Sequence, residues 1–496
     1  MRRRPRFSAL SWLAILFLIA AALMAIFQFV RFSRLRTTYP SNMTIADVPV
    51  GGLDRRGAAD RLLQAYSLPV ELVYDDQIIL FEPSICGFEL DLESMLAAAD
   101  LERTKQSFWL GFWDYLWGRQ IETYAIPLRA SFSESRLRTY LKDEIAARYD
   151  KPPSPAIPQP GTVNYAPGTF GTELDLDTAV ILMESAMRSV DNRSVNLPRK
   201  QTSPPRPSLQ NLETFLKQTI ELNDFDGLVG LYMLNMNTQE EVHFAFQNGL
   251  DIPTNPDIAF TTASIVKIPI MTSIFRRIDE NEDPEALNLL QKMIIESGND
   301  PADWVMERVI DPDLGPLAIT EDMQALGLEN TFLAGEFGRG SPLLRVIKTP
   351  ANQRDDVSTD PDLYNQSTPS DIGMLLEDIY LCAENGQGAF KAVFGDEITQ
   401  SECQIMIDYL TQNKMPALLE AGVPDVTEVA HKHGWVTSNN GIMQSLGDAG
   451  IIFSPGGDYI LVIFLYHPQQ LIWNNASFLV SQLSGAIYNF YNQNLQ

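Results

Sequence analysis

Three short groupings could do chemistry in this sequence: Ser264-Ile-Val-Lys267, Ser297-Gly298-Asn299 and Lys432-His433-Gly434. On a helix, residues three apart share a face, so the Ser264 hydroxyl and the Lys267 amine meet at its first turn. An ordinary serine is a poor nucleophile. An amine whose pKa is lowered by desolvation and by a second cation can accept its proton. A place near a helix N-terminus also puts the Ser264 N–H where an oxyanion would be stabilised. Ser-x-x-Lys alone is short and common, and the two later groupings give it weight. Ser297-Gly298-Asn299 sits in an apolar-periodic stretch, Leu289 to Val309, and Lys432-His433-Gly434 on a strand-like run, Val429 to Val436.

The order Ser-x-x-Lys, Ser-x-Asn, Lys-x-Gly resembles the three-part signature of class A β-lactamases and penicillin-binding proteins. Ser367-Thr-Pro-Ser-Asp-Ile-Gly-Met resembles the family's helix start after its omega loop. Leu446-Gly-Asp-Ala-Gly-Ile, followed by Pro455-Gly-Gly, resembles its last hairpin, so the likeness runs from about Leu209 to Gln496. The resemblance implies an acyl-serine on Ser264, with Lys267 as proton acceptor and Ser297 as relay to the leaving nitrogen. Asn299 would hold the substrate amide. Lys432 would bind a substrate carboxylate and depress the Lys267 pKa, and the Ser264 and Trp435 N–H groups would form the oxyanion hole. The implied substrate is a β-lactam or a peptidoglycan stem peptide.

Three departures qualify that implication. Gly298 stands where the enzymes usually carry Asp, and His433 replaces the hydroxyl residue between Lys and Gly, where a partly protonated imidazole could substitute. Glu336 falls near the expected place of the water-activating Glu of class A β-lactamases, but the run after it, Phe337-Gly-Arg-Gly, is not theirs. Without such a base the acyl-enzyme would be long-lived, as in a penicillin-binding peptidase. The rival reading is a wall-binding scaffold whose hydrolase domain has lost turnover.

The elements that must position these residues read as α+β. An amphipathic helix to Leu222 precedes strands at Gly227 to Met236 and Glu241 to Gln247. Gly450 to Phe453, Tyr459 to Tyr466 and a helix Phe478 to Tyr491 close the chain. The economical architecture is an antiparallel sheet built from both ends of residues 209–496, flanked by helices, with a helical lobe inserted. Before it, Pro83 to Leu92 aligns with Pro167 to Leu176, each ending in Glu-Leu-Asp-Leu and running into a helix capped by Asp. That divides 37–125 from 126–197 as two small α+β repeats, and the Pro-rich stretch 198–208 reads as a stiff spacer. Val48 to Leu92 resembles the peptidoglycan-binding repeat of VanW-type proteins, which implies a module near the cell wall but no particular binding residues. The aromatic cluster Phe108 to Trp117 could dock on membrane or glycan, but at helical spacing it reads first as core.

Residues 1–36 read as a cytoplasmic stub and a transmembrane anchor; the alternative, a cleaved signal peptide, is disfavoured by an apolar stretch longer than the usual h-region and the lack of a clear cleavage site. Ala9 to Val30 carries no charge and only Ser11 and Gln28 as polar residues, enough to span a bilayer once. Arg2, Arg3, Arg4 and Arg6 before it argue for a cytoplasmic N-terminus and an extracytoplasmic bulk, although Arg31, Arg34 and Arg36 follow. The 496-residue chain holds 37 Lys+Arg against 63 Asp+Glu, a formal charge of -26 that repels nucleic acid. His431 and His433 share a strand face, but with four histidines in all and no HExxH motif no metal site is expected. No glycine-rich phosphate loop calls for a nucleotide, so no cofactor is expected. Of three cysteines, Cys382 and Cys403 can form one bridge.

Overall fold

The uncharged apolar run at the start forms helix α1 (Ala9–Leu35), five residues longer than the run because Arg31 and Arg34 continue the helix. Its Trp12–Leu35 stretch is long and apolar enough to cross a membrane. The computed structural model describes residues 9–119, 125–159, 161–278, 283–413, 416–437 and 441–493, so the arginines before Phe7 lie outside the described residues. The chain divides into two units, Met1–Ser154 with Phe170–Pro204, and Pro155–Thr169 with Pro205–Gln496.

The first unit does not divide at residue 125. One core gathers Tyr39, Ile45, Leu62, Met95 and Leu96 with Ile126, and a second gathers Val70, Leu72 and Phe81 with Leu137, Met183 and Val195. The cause is strand pairing at long range. Val70–Tyr74 pairs in parallel with Ser194–Asn196, and Thr44–Ile45 with Ala125–Ile126; parallel neighbours need long crossovers, which interleave the segments. Asp91 and Asp175 cap their helices alike, accepting from the N–H of Ser94 and Thr178. The aligned glycines differ. Gly87 is left-handed at φ 69°, whereas Gly171 lies in a strand where a Cβ would collide with Thr202 and Pro153. Part of the expected spacer is also strand: Arg199–Thr202 pairs with Gly171–Leu174.

Helix α2 (Phe108–Leu116) overturns the expectation of core. Trp109 is 70% exposed and Trp117 67%, and Gly111 is its only buried residue.

In the second unit, α3 (Leu209–Leu222) buries the stripe Leu212, Phe215, Leu216, Thr219 and Ile220, as an amphipathic helix must. Then come β1 (Leu228–Asn235), β2 (Glu241–Gln247) and β3 (Leu250–Asp251). A helical region follows: α4 (Lys267–Phe275), α5 (Pro284–Ile295), α6 (Asn299–Val309), α7 (Pro369–Asn385) and α8 (Gln400–Thr411). The chain then returns with β4 (Glu428–Thr437), β5 (Met443–Phe453), β6 (Tyr459–Tyr466) and α9 (Trp473–Tyr491). The sheet order is β3-β2-β1-β6-β5-β4, antiparallel throughout. The α+β class and the sheet made from both chain ends agree with the sequence reading.

Period-two alternation sorts the sheet residues between two cores. Val229, Leu231 and Met233 of β1 pack with α3 and α9; Leu228, Tyr232 and Leu234 pack with α4, α5 and α7. Thr368 caps α7, accepting from the Asp371 N–H, and the Cys382–Cys403 disulfide ties α7 to α8.

Candidate active site

Ser264 lies in a 3-10 turn, Ala263–Val266, that leads into α4 rather than in the α-helix itself. With three residues per turn, i and i+3 eclipse, which stacks Lys267 directly on Ser264. Phe260–Thr261 pairs with Asn365–Ser367, and the Thr262 hydroxyl bonds Asn365 Oδ1 at 2.6 Å, so the chain enters the turn from a fixed strand. Ala263 takes φ 51° and Ser297 φ 57°, a left-handed conformation uncommon for residues with a Cβ. The apolar-periodic stretch Leu289 to Val309 falls in two helices, α5 and α6, with Ser297 at the break.

That break points Ser297 and Asn299 at the amine. Lys267 Nζ is fully buried. It lies 3.0 Å from Ser264 Oγ, 2.7 Å from Ser297 O, 2.8 Å from Asn299 Oδ1 and 3.5 Å from Ser297 Oγ. The Ser297 and Asn299 carbonyls only accept. They take two N–H groups of Lys267, and in a neutral amine the lone pair is left toward the Ser264 O–H. Lys432, also fully buried, donates from Nζ to Ser297 Oγ at 3.0 Å and to His433 O at 3.2 Å. Burial, then the charge of Lys432, lowers the Lys267 pKa to about 7 against the opposing pull of Asp303. Burial lowers Lys432 to about 8, with Asp448 opposing.

Gly434 allows the edge strand β4 to reach the nucleophile. A Cβ there would stand 2.5 Å from Thr262 O and 2.7 Å from Ser264 N, closer than real side chains come. At Gly298 a Cβ would stand 2.9 Å from the Pro301 ring, so the missing Asp could not simply be restored; the Gly298 N–H bonds Lys292 O at 3.2 Å.

Alternation on β4 sends His431, His433 and Trp435 to the side away from Lys432 and Gly434. His433 stacks on Trp435, ring centroids 5.4 Å apart, and Trp435 meets Trp473 edge-on at 5.2 Å. Asn413 Nδ2 donates to His431 O and to His433 Nδ1, each at 3.1 Å. Nδ1 is thereby the acceptor nitrogen and Nε2 carries the proton. Burial and then Lys432 push the His433 pKa down to about 4, so the expected partly protonated imidazole is replaced by a neutral one. His431 is the reverse. Burial opposes its charge, but Asp448, at 2.9 and 3.0 Å from Nδ1, raises it to about 9. No group of ligating side chains suits a metal among the described residues.

Glu336 is half-buried and meets the Ser341 hydroxyl at 3.4 Å, and the structure does not draw it into the Ser264 hydrogen-bond network. The carboxylate that acts on Lys267 is Asp303, which sequence reasoning missed. It lies one helical turn after Asn299, a spacing that could have flagged it. Burial raises its pKa to about 6 although the Phe337 N–H donates to it at 2.9 Å. The Phe337 ring in turn covers Lys267, 5.1 Å from Nζ.

Residues 279–491 match the family described as Beta-lactamase enzyme family. The match holds Ser297, Asn299 and Lys432 but begins after Ser264 and Lys267. No curated protein matches the chain. Among solved structures it is similar to PBP-A, at 21% identity and TM-score 0.41 over 58% of this chain and 99% of that one. The TLA-1 extended-spectrum β-lactamase follows at 14% and 0.42 over 57% and 98%. A β-lactamase from Chitinophaga pinensis DSM 2588 stands at 14% and 0.43 over 56% and 98%.

Proposed function

We propose that the second unit is a serine acyl-hydrolase that attacks an amide carbonyl, in a β-lactam ring or a peptidoglycan stem peptide, and carries the acyl group on Ser264. The observation that carries this reading is the convergence of two buried amines and two hydroxyls, with Ser264 Oγ 3.0 Å from Lys267 and Ser297 Oγ 3.0 Å from Lys432. Neutral Lys267 takes the Ser264 proton as the Oγ–C bond forms. The oxyanion is held by the Ser264 and Trp435 N–H groups. The proton then passes from Lys267 through the Ser297 hydroxyl to the substrate nitrogen as the C–N bond breaks. Asn299 keeps its Nδ2 group for the substrate amide, and Lys432 supplies the positive charge for a substrate carboxylate. His433, being neutral, adds no charge to carboxylate recognition.

Release of the acyl group is proposed to be slow, because Glu336 is turned to Ser341. Retention of α1 as an uncleaved anchor, with the rest of the chain extracytoplasmic, is part of the same reading. The Cys382–Cys403 disulfide supports it, since such bonds persist outside the reducing cytosol. The test is to incubate the full-length protein in membranes with a fluorescent penicillin and follow adduct and release. A lasting adduct absent in Ser264→Ala is expected and means a penicillin-binding peptidase. Fast turnover would mean a β-lactamase. No adduct from folded protein would overturn the reading in favour of a wall scaffold.

A further inference from the structure

We propose that α2 is a second membrane element, lying in the lipid interface beside the end of α1 with Trp109, Leu110, Trp113, Leu116 and Trp117 against lipid. This goes beyond the hydrolase reading and rests on α1 being kept as an anchor.

Helix α2, Phe-Trp-Leu-Gly-Phe-Trp-Asp-Tyr-Leu, is apolar on two stripes. Phe108, Gly111, Phe112 and Tyr115, at i, i+3, i+4 and i+7, face α1. Phe108 lies 5.5 Å from Phe29 and 5.3 Å from Phe32, ring to ring, and Phe112 lies 5.6 Å from Phe29. Gly111 permits the approach, since a Cβ there would already stand 3.3 Å from the Phe32 ring. The other stripe is exposed, Trp109 by 70% although its ring also lies 6.1 Å from Phe29, Trp113 by 56% and Trp117, at the C-cap, by 67%. Apart from Asp114, which accepts from Gln106 at 2.7 Å, the helix is apolar all round, as befits a core or a membrane.

The level of contact decides between them. The Tyr115 hydroxyl donates to Gln28 Oε1 at 3.0 Å, and Gln28 and Phe29 fall inside the uncharged span, which ends at Val30. Helix α2 is therefore level with the last turn of the membrane-spanning stretch, where Ile26 and Phe27 are exposed by 60% and 64%. Whatever covers those side chains covers the outer stripe of α2. Tryptophan is the residue enriched at that depth. Charge agrees: in a chain of -26, Arg31, Arg34 and Arg36 follow the span within six residues, suited to lipid phosphates, whereas Arg103, Lys105 and Arg119 are paired with Asp100, Glu102 and Asp114. Arg36 joins the two helices, its guanidinium 5.5 Å from the Phe108 ring.

The experiment uses the full-length chain in vesicles of phosphatidylcholine mixed with phosphatidylglycerol. A thiol introduced by Trp113→Cys, or separately by Trp117→Cys, takes an environment-sensitive fluorophore; Cys86 is buried and the other two cysteines are bridged. Val426→Cys, at a site 94% exposed, is the control. Lipids with a shallow nitroxide should quench either α2 label about threefold or more beyond the control, and aqueous iodide should do the reverse. Iodide reaching all three labels alike overturns the proposal. So does lipid-independent protection with cross-links between copies, which assigns the stripe to a second chain. The intact mass of the membrane-bound protein separately reports α1. Its loss removes the anchor and this proposal together, whereas a retained α1 with water-exposed labels removes the proposal alone.

Discussion

Lys432 donates to the Ser297 hydroxyl at 3.0 Å although 135 residues separate them in the chain, and the same hydroxyl lies 3.5 Å from Lys267. Two buried amines share one alcohol, so the charge of one governs the basicity of the other. Their partners set the working range, Asp303 favouring the charged Lys267 and Asp448 the charged Lys432.

Acylation needs Lys267 neutral and Lys432 charged. The rate with penicillin at low concentration should rise as pH passes about 7 and fall beyond about 8. Replacing Lys432 by Met removes the cation that depresses Lys267, so the acid limb of the stopped-flow pH profile should move to higher pH. The rate itself should drop, by about 10²-fold. An unmoved limb would separate the two amines.

Asp303→Asn should move the same limb the other way. The carboxylate holds Lys267 toward its charged form, so its loss lowers the amine pKa and raises the acylation rate below neutrality. Adduct formation between about pH 6, below which the Asp303 carboxyl is itself neutral, and about pH 7 is the measurement.

Gly434→Ala places a Cβ 2.5 Å from Thr262 O and 2.7 Å from Ser264 N. Either β4 or the Ser264 turn must give way. The expected result is a loss of about 1–3 kcal/mol in stability by thermal unfolding and near-complete loss of the penicillin adduct in protein that remains folded.

Glu336→Gln tests deacylation alone. With its carboxylate turned to Ser341, the substitution should change the adduct half-life by less than about twofold, far below the effect of removing a true general base. A lifetime lengthened by orders of magnitude would return Glu336 to the role its place in the sequence suggested.

The chain's own order of residues determined a good deal: the apolar span, the amphipathic helix Leu209–Leu222, the strands Glu241–Gln247 and Tyr459–Tyr466, and the three groupings around Ser264, Ser297 and Lys432. These are legible because periodicity and short spacing are local properties of a polymer. Tertiary structure alone decided that Ser297 breaks a helix at φ 57° and that Asp303 is the carboxylate acting on Lys267. It also decided that burial and Lys432 keep His433 neutral, and that α2 packs on α1 rather than in a core. Each depends on what lies across space from a residue, and desolvation and Coulomb forces act through distance, not along the chain.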